Sequence, residues 1–410
     1  MLYYIYSVFT LKARISKTIR AHLCKVIKII ATLAKNRNQM TVERETAGFA
    51  LPFAAGTAAA IYAGAFFGNA FIQASVLLIL VFLIYFLTYG RHAVIKDRKL
   101  WTAIMATGLS AGAFCGITAN ELSVSSFGDA GFFENLGAAL EETIETIHFR
   151  DSQTTSFIKA IITGERSGLN QEVTEIFRSS GASHILALSG LHLGVIYMTI
   201  SRLLSLIGFG PSASRIRSLI TVMICGIYTM ATGASPSIVR AFLFILLNES
   251  ARLSGRYRST GNVLLTALVI QLCLSPSSIK SVGFQLSYAA MAGIAFIYPR
   301  LKGLWPEKDA ESGFPSAFIT RPTRWIWNSA AMSISCQVAT APLAWIYFRT
   351  FPMHFLLTNL IALPLTGVII PSAALTVLLA RAGQCPDLLV RFTEWLTELL
   401  IGALEIIASM

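Results

Sequence analysis

Apolar runs long enough to cross a bilayer recur along this chain, near 48–69, 71–89, 101–119, 184–207, 216–232, 236–251, 259–275, 281–299, 326–348, 354–380 and 388–409. About 18 to 20 apolar residues in a helix span the hydrocarbon, and a helix satisfies its own backbone where water is absent. With 54% hydrophobic residues, 13% charged residues and a mean hydropathy of +0.63, the chain has too little polar surface for a soluble globule. The expected fold is all-α, a polytopic transmembrane helical bundle of about 10–11 membrane segments with amphipathic interfacial helices on the outer face.

The basic residues orient this bundle. Arg91, Lys96, Arg98 and Lys99, then Arg215 and Arg217, then Arg252, Arg256 and Arg258, then Arg300, Lys302, Lys308, Arg321 and Arg324 fall in alternate connections. Lys and Arg stay on the cytoplasmic side, so the amino terminus is expected in the cytoplasm. The long connection 120–182 then lies outside with ten acids and four bases. Within it Leu136, Leu140, Ile144 and Ile147 share a helix face, a second amphipathic piece carries Phe157, Ile158, Ile161 and Ile162, and a third runs from Asn170, an N-cap, to Gly181. This segment is expected to form an interfacial collar or a lid at the outer mouth.

The net charge of +12 comes mainly from residues 1–39, which hold eight Lys or Arg and no acid. That leader is either a basic segment on the anionic cytoplasmic leaflet or an extension from a mis-assigned start, with Met40 opening the chain proper. The expected organisation is 1–39 leader, 40–119 first three transmembrane helices, 120–182 outer amphipathic segment, 183–380 channel domain and 381–410 C-terminal transmembrane helix.

Polar groups at membrane depth cost free energy unless they meet a partner or a wet pathway. His184, Ser189 and His192 lie at the start of an apolar run, within an arc of about 140° if that run is one helix. In Ala231-Thr-Gly-Ala-Ser235-Pro236-Ser237-Ile-Val-Arg240, Gly233 breaks one helix, Ser235 is placed to cap the next and Pro236 suits its first turn. Arg240 then sits near the positive end of a helix, a position that suits an anion; Glu249, nine residues along, is a poor partner for it. Gln285, Gln337 and Asn359 form an amide-rich set that either joins helices or lines a pore. The six cysteines are scattered singly, and no metal-ligand spacing occurs among the histidines, so neither a metal nor a cofactor is expected.

These strings, in this order, resemble the competence domain of the ComEC family, through which transforming bacteria pass single-stranded DNA. The matching pieces are Ile162-Thr-Gly-Glu-Arg-Ser-Gly-Leu169, Phe177 to Gly181, His184-Ile-Leu-Ala-Leu-Ser-Gly-Leu-His192, Thr232 to Ala241, Leu274-Ser-Pro276, Gly283-Phe-Gln-Leu-Ser287, Gln337 to Pro342 and Asn359 to Pro364. They cover roughly residues 155–380. The resemblance implies a channel domain in the bacterial cytoplasmic membrane, here expected without the family's oligonucleotide-binding fold and metallo-β-lactamase-like module. It also implies a DNA pathway past His184, Ser189, His192, Ser235, Ser237, Arg240, Gln285, Gln337 and Asn359.

No Gly-x-x-x-x-Gly-Lys-Ser/Thr string is present, so an ATP-driven cytoplasmic motor would be a partner, with an outer DNA receptor upstream. Self-association into a homo-oligomer stays open. Two alternatives compete with the DNA channel. One is a small-anion or solute transporter. The other is an intramembrane serine hydrolase with Ser189 as nucleophile and His192 as base, disfavoured because there is no Gly-x-Ser-x-Gly elbow and no evident orienting acid. The chain is therefore expected not to be an enzyme.

Overall fold

A computed structural model describes residues 39–62, 98–121, 131–206, 213–254, 259–305, 314–349 and 354–410. Residues 1–38 of the basic leader and the apolar run 71–89 lie outside them. In chain order the helices are α1 (Gln39–Tyr62), α2 (Arg98–Glu121), α3 (Gly131–Thr146), α4 (Ser152–Thr163), α5 (Gln171–Ser179), α6 (Ser183–Leu186), α7 (Gly190–Leu206), α8 (Ala213–Ala231), α9 (Pro236–Leu253), α10 (Thr260–Leu274), α11 (Val282–Ala292), α12 (Tyr298–Lys302), α13 (Phe314–Phe348), α14 (Phe355–Arg381) and α15 (Asp387–Ala408). A 3₁₀ turn, Pro276–Lys280, precedes α11, and a π-helical turn, Gly293–Ile297, joins α11 to α12. No strand occurs among the described residues, and the protein is all-α.

Among the described residues three helical stretches are long and apolar enough to cross a membrane: Val282–Lys302, Pro322–Phe348 and Phe355–Arg381. Thr46–Tyr62, Ile104–Ile117, Gly190–Leu206 and Thr260–Leu274 are shorter apolar helices. The apolar run near 354–380 forms the single helix α14, unbroken through Pro364 and Pro371.

The described residues divide into two compact units, those up to 121 with those of 250–285, and those of 131–249 with those of 286–410. In the first, α1 and α2 pack backbone to backbone. A Cβ on Gly112 would lie 1.9 Å from the Phe53 carbonyl oxygen, and one on Gly56 would lie 2.0 Å from that of Leu109. Gly108, Gly112 and Gly116 place a glycine on the same face every turn, which lets helices approach closely where lipid removes the hydrophobic drive to associate. α10 packs on α1, and Cys115 Sγ lies 3.5 Å from the Leu272 carbonyl oxygen.

In the second unit the amphipathic helices find protein to cover their apolar faces. Ile144, Phe157, Ile158, Ile161 and Phe177 are fully buried in one core with Ile369, Ile370 and Ala373 of α14 and Leu400 and Leu404 of α15. Their boundaries follow side-chain caps. Asp151 accepts from the Gln153 N–H at 3.0 Å, Asn170 accepts from the Glu172 N–H at 3.3 Å, and Gly164 and Gly181 close their helices with φ of 90° and 82°.

The segment 131–181 extends along α14 and not merely across one end. Thr358, near the start of α14, donates to the Ser180 carbonyl at 2.6 Å, while Ala380, near its end, borders the same cavity as Thr146 and Arg150. α15 is helical as expected at 388–409, but it is amphipathic and not uniformly apolar. It carries Arg391, Glu394, Glu398 and Glu405 and packs on α4, α5 and α14. The buried Glu394 accepts the backbone N–H groups of Arg150 and Asp151 at 2.6 and 3.2 Å. Elsewhere in this unit the π turn coincides with a close crossing, since a Cβ on Gly293 would lie 2.3 Å from the Ser335 carbonyl oxygen of α13.

Candidate functional site

The run expected as one helix from residue 184 is broken. His184 lies on α6, a single turn, and Ala187 is extended at φ −74°, ψ 125° before α7 begins at Gly190. The break has a local cause in the hydroxyl of Ser189, which accepts the Leu191 N–H at 3.3 Å as a helix cap does. His184 is therefore exposed and off the helix that carries His192, which is a correction to the single polar arc.

His192 is fully buried, and its Nδ1 accepts the backbone N–H of Ser189 at 3.1 Å with the Ser189 hydroxyl at 3.0 Å. A backbone N–H can only donate, so Nδ1 is the acceptor and the neutral ring carries its proton on Nε2. Nε2 is buried with no hydrogen-bond partner among the described residues.

The turn before α9 forms as the glycine and proline require, with one addition. Gly233 and also Ala234 are left-handed, at φ 77° and 48°, and the Ala234 N–H donates to the Thr229 carbonyl at 3.0 Å. Pro236 opens α9 as expected. Ser235 does not cap it. Its hydroxyl is buried without a partner, and the first turn is closed by the Val239 N–H donating to the Ser235 carbonyl at 3.0 Å.

Arg240, 2% exposed, donates through Nη2 to the Ser237 hydroxyl at 3.0 Å, and its Cζ lies 5.2 Å from the centre of the Tyr288 ring. A guanidinium over a phenol face is held by the ring quadrupole while its edge stays available. Nη1 has no hydrogen-bond partner among the described residues.

The starts of α7 and α9 are neighbours, because a Cβ on Gly190 would lie 3.2 Å from the Cβ of Ala241. Two helix amino termini thus adjoin, α7 carrying the buried imidazole N–H of His192 and α9 the buried guanidinium of Arg240, with Ser189, Ser235 and Ser237 at the same two starts. A buried donor left unsatisfied costs about 1 to 3 kcal/mol, and more if charged. Each of these two donors keeps the capacity for one more acceptor, and a helix start favours a negatively charged one. α3 seats against the adjoining turn, where a Cβ on Gly137 would lie 2.5 Å from the Ala231 carbonyl oxygen.

The amides lie on three other elements, Gln285 on α11, Gln337 on α13 and Asn359 on α14. Gln285 falls in the other unit and donates to the Ile279 carbonyl at 2.9 Å, closing the 3₁₀ turn. Gln337 is half-buried on α13, and Asn359 on α14 has its Oδ1 buried without a partner. Among the described residues no hydrogen bond joins His184, Gln337 or Asn359 to the α7–α9 group. Two features were not evident from the sequence. Tyr288 lies 48 positions from the Arg240 it supports. Glu249 accepts from the Tyr197 and Ser218 hydroxyls, each at 2.5 Å, which ties α7, α8 and α9 together. The spacing already disfavours Glu249 as a partner for Arg240, and these bonds give the carboxylate another use.

The family model described as "Competence protein" matches residues 161–410, more than half of the chain. The chain is 25% identical over 228 residues to ComE operon protein 3 of Bacillus subtilis (strain 168), covering 55% of this chain and 26% of that protein. It is 26% identical over 212 residues to the uncharacterized protein YcaI of Escherichia coli (strain K12), covering 50% and 26% of the two. An uncharacterized protein of Aquifex aeolicus (strain VF5) is 25% identical over 214 residues, covering 52% of this chain and 45% of that one. The chain therefore spans less than half the length of each of these relatives. No solved structure matches it.

Proposed function

The chain belongs to the competence protein family, as a membrane protein, and on that premise we propose that it forms a conduit for single-stranded DNA during natural transformation. The observation that carries this reading is the pair of unsatisfied buried donors, His192 Nε2 and Arg240 Nη1, at two adjoining helix starts. A phosphodiester offers two non-bridging oxygens and one negative charge, which answer those donors and the positive helix ends. Arg240 is held by Ser237 and Tyr288 and so presents only part of its fork. A weak, partial contact suits a strand that must slide, because a tight site would stop it.

The proposed setting is the bacterial cytoplasmic membrane, crossed several times with the amino terminus inside. The segment 120–182, with ten acids and four bases, is itself a poor surface for capturing DNA, since phosphate binding needs net positive charge. Delivery by an outer receptor and pulling by a cytoplasmic ATP-driven motor complete the proposal.

The test is transformation frequency in a host whose own copy carries Arg240→Gln or His192→Gln, with membrane levels of the protein checked. A charge-assisted contact is worth about 1.5 to 3 kcal/mol, so Arg240→Gln is expected to lower uptake about tenfold or more. Unchanged uptake in both variants rejects the proposal.

Two other readings have an observation each. The 3.0 Å approach of Ser189 Oγ to His192 Nδ1 fits a nucleophile and its base. Against it, the same oxygen caps α7 and no carboxylate orients Nε2. Labelling of Ser189 by a fluorophosphonate would establish that chemistry. The single level of unsatisfied donors also fits a small anion, and stabilisation of the purified protein by inorganic phosphate but not by oligonucleotide would favour it.

A further inference from the structure

A second polar site lies in the same unit, lined by none of the α7–α9 residues, and is independent of the DNA reading. A cavity of about 470 Å³ opens where the loop after α3 meets the turn between α14 and α15. It is lined by Arg150, Arg391 and His148 and by Asp387 and Glu394, with Cys385 between α14 and α15. None of the arginines or carboxylates is in an ion pair with another described residue. Glu394 uses Oε1 to accept the Arg150 and Asp151 N–H groups, which leaves Oε2 without a hydrogen bond among the described residues. Burial first, and the Asp387 carboxylate after it, push the Cys385 thiol above its ordinary value. The cavity thus holds two free cations and two carboxylates side by side, which asks for a ligand bearing both signs.

Its position narrows the ligand. α14 is long and apolar enough to cross the membrane and ends at Arg381, and a helix of that length carries its flanking residues, here Gly383 to Asp387, to the headgroup level if it does cross. Beside the charges, Leu388, Phe392 and Trp395 of α15 are 83%, 42% and 55% exposed, as an acyl chain and an aromatic interface anchor require. Basic pockets at the ends of membrane helices hold lipid phosphates.

We infer that this cavity seats the headgroup of a phospholipid bearing a phosphate and a primary ammonium, with the phosphate on Arg150 and Arg391 and the ammonium on Asp387 and Glu394. The primary ammonium donates hydrogen bonds to carboxylates, which a trimethylated one cannot do.

The test uses the full chain purified in mild detergent and follows its thermal midpoint as lysophosphatidylethanolamine is added. The midpoint is expected to rise saturably, and more than with lysophosphatidylcholine. Arg150→Gln combined with Arg391→Gln is expected to weaken the effect about tenfold or more, as loss of charge-assisted contacts implies. Both arginines are exposed, so the double variant should melt with wild type when no lipid is added. If it does not, Asp387→Asn serves instead: it should reduce the preference for ethanolamine over choline, Glu394 alone then holding the ammonium, and an undiminished preference overturns the inference. Equal responses to the two wild-type lipids, or none, overturn the inference. Equal competition by free O-phosphoethanolamine overturns the lipid source, and competition by an oligothymidylate would make the cavity a nucleic-acid phosphate site.

Discussion

Glu394→Ala tests how the amphipathic segment is held to α15. The carboxylate is 4% exposed and takes two backbone N–H groups, from Arg150 at 2.6 Å and Asp151 at 3.2 Å. A hydrogen bond to a charged group is worth about 1.5 to 3 kcal/mol, with the longer bond at the low end. Arg150 and Asp151 are themselves exposed, so water replaces part of what is lost. The expected net cost is about 2 to 3 kcal/mol for Ala. Gln keeps an acceptor oxygen and loses only the charge, for about 1 kcal/mol. At roughly 2 to 4 °C per kcal/mol for a body of this size, Glu394→Ala should lower the melting midpoint in detergent by several degrees and Glu394→Gln by less. Limited proteolysis between α3 and α4 should speed up in the same order. A Glu394→Ala protein that melts with wild type and is cut no faster would refute the docking of residues 131–181 on α15.

Further expectations are local. Gly112→Leu should part α1 from α2, because even a Cβ there would lie 1.9 Å from the Phe53 carbonyl oxygen; Gly131→Leu meets nothing within 4 Å and should be silent on size-exclusion chromatography. Ser189→Ala removes the α7 cap and should cost about 1 kcal/mol in the same melting assay, most of it recovered by Ser189→Thr. The Glu165 carboxylate accepts the Ser167 N–H at 2.8 Å, and that backbone bond holds it below its ordinary range. Its support for the loop is thus present above the ordinary carboxylate value and lost as pH falls through the lowered one. The protection factor of the Ser167 amide should fall on acidification, and Glu165→Gln should remove that dependence.

The helical class, the caps at Asn170 and Gly181 and the proline start of α9 are legible from residue type alone, because each depends on a few neighbouring positions. The break before α7 is not. Ala187 carries no breaker signal, and the cap that ends the run depends on one hydroxyl that periodicity counts merely as polar. Ser235 shows the converse, a residue of the right type in the right place whose hydroxyl makes no cap. Contacts across long separations, Tyr288 beneath Arg240 and Glu394 on the loop at Arg150, leave no mark in a single sequence. The glycine stripe of α2 is periodic, yet glycine carries little hydropathy and so escapes a search for apolar faces.

The central claim is that a DNA strand passes the starts of α7 and α9. A photo-crosslinking amino acid placed at Ser237 in transforming cells tests it most directly, with Leu219 of α8, 60% exposed, as the control position. The account predicts covalent capture of incoming single-stranded DNA at position 237 and background at 219. Capture at 219 equal to that at 237, or none at either while uptake proceeds, contradicts it.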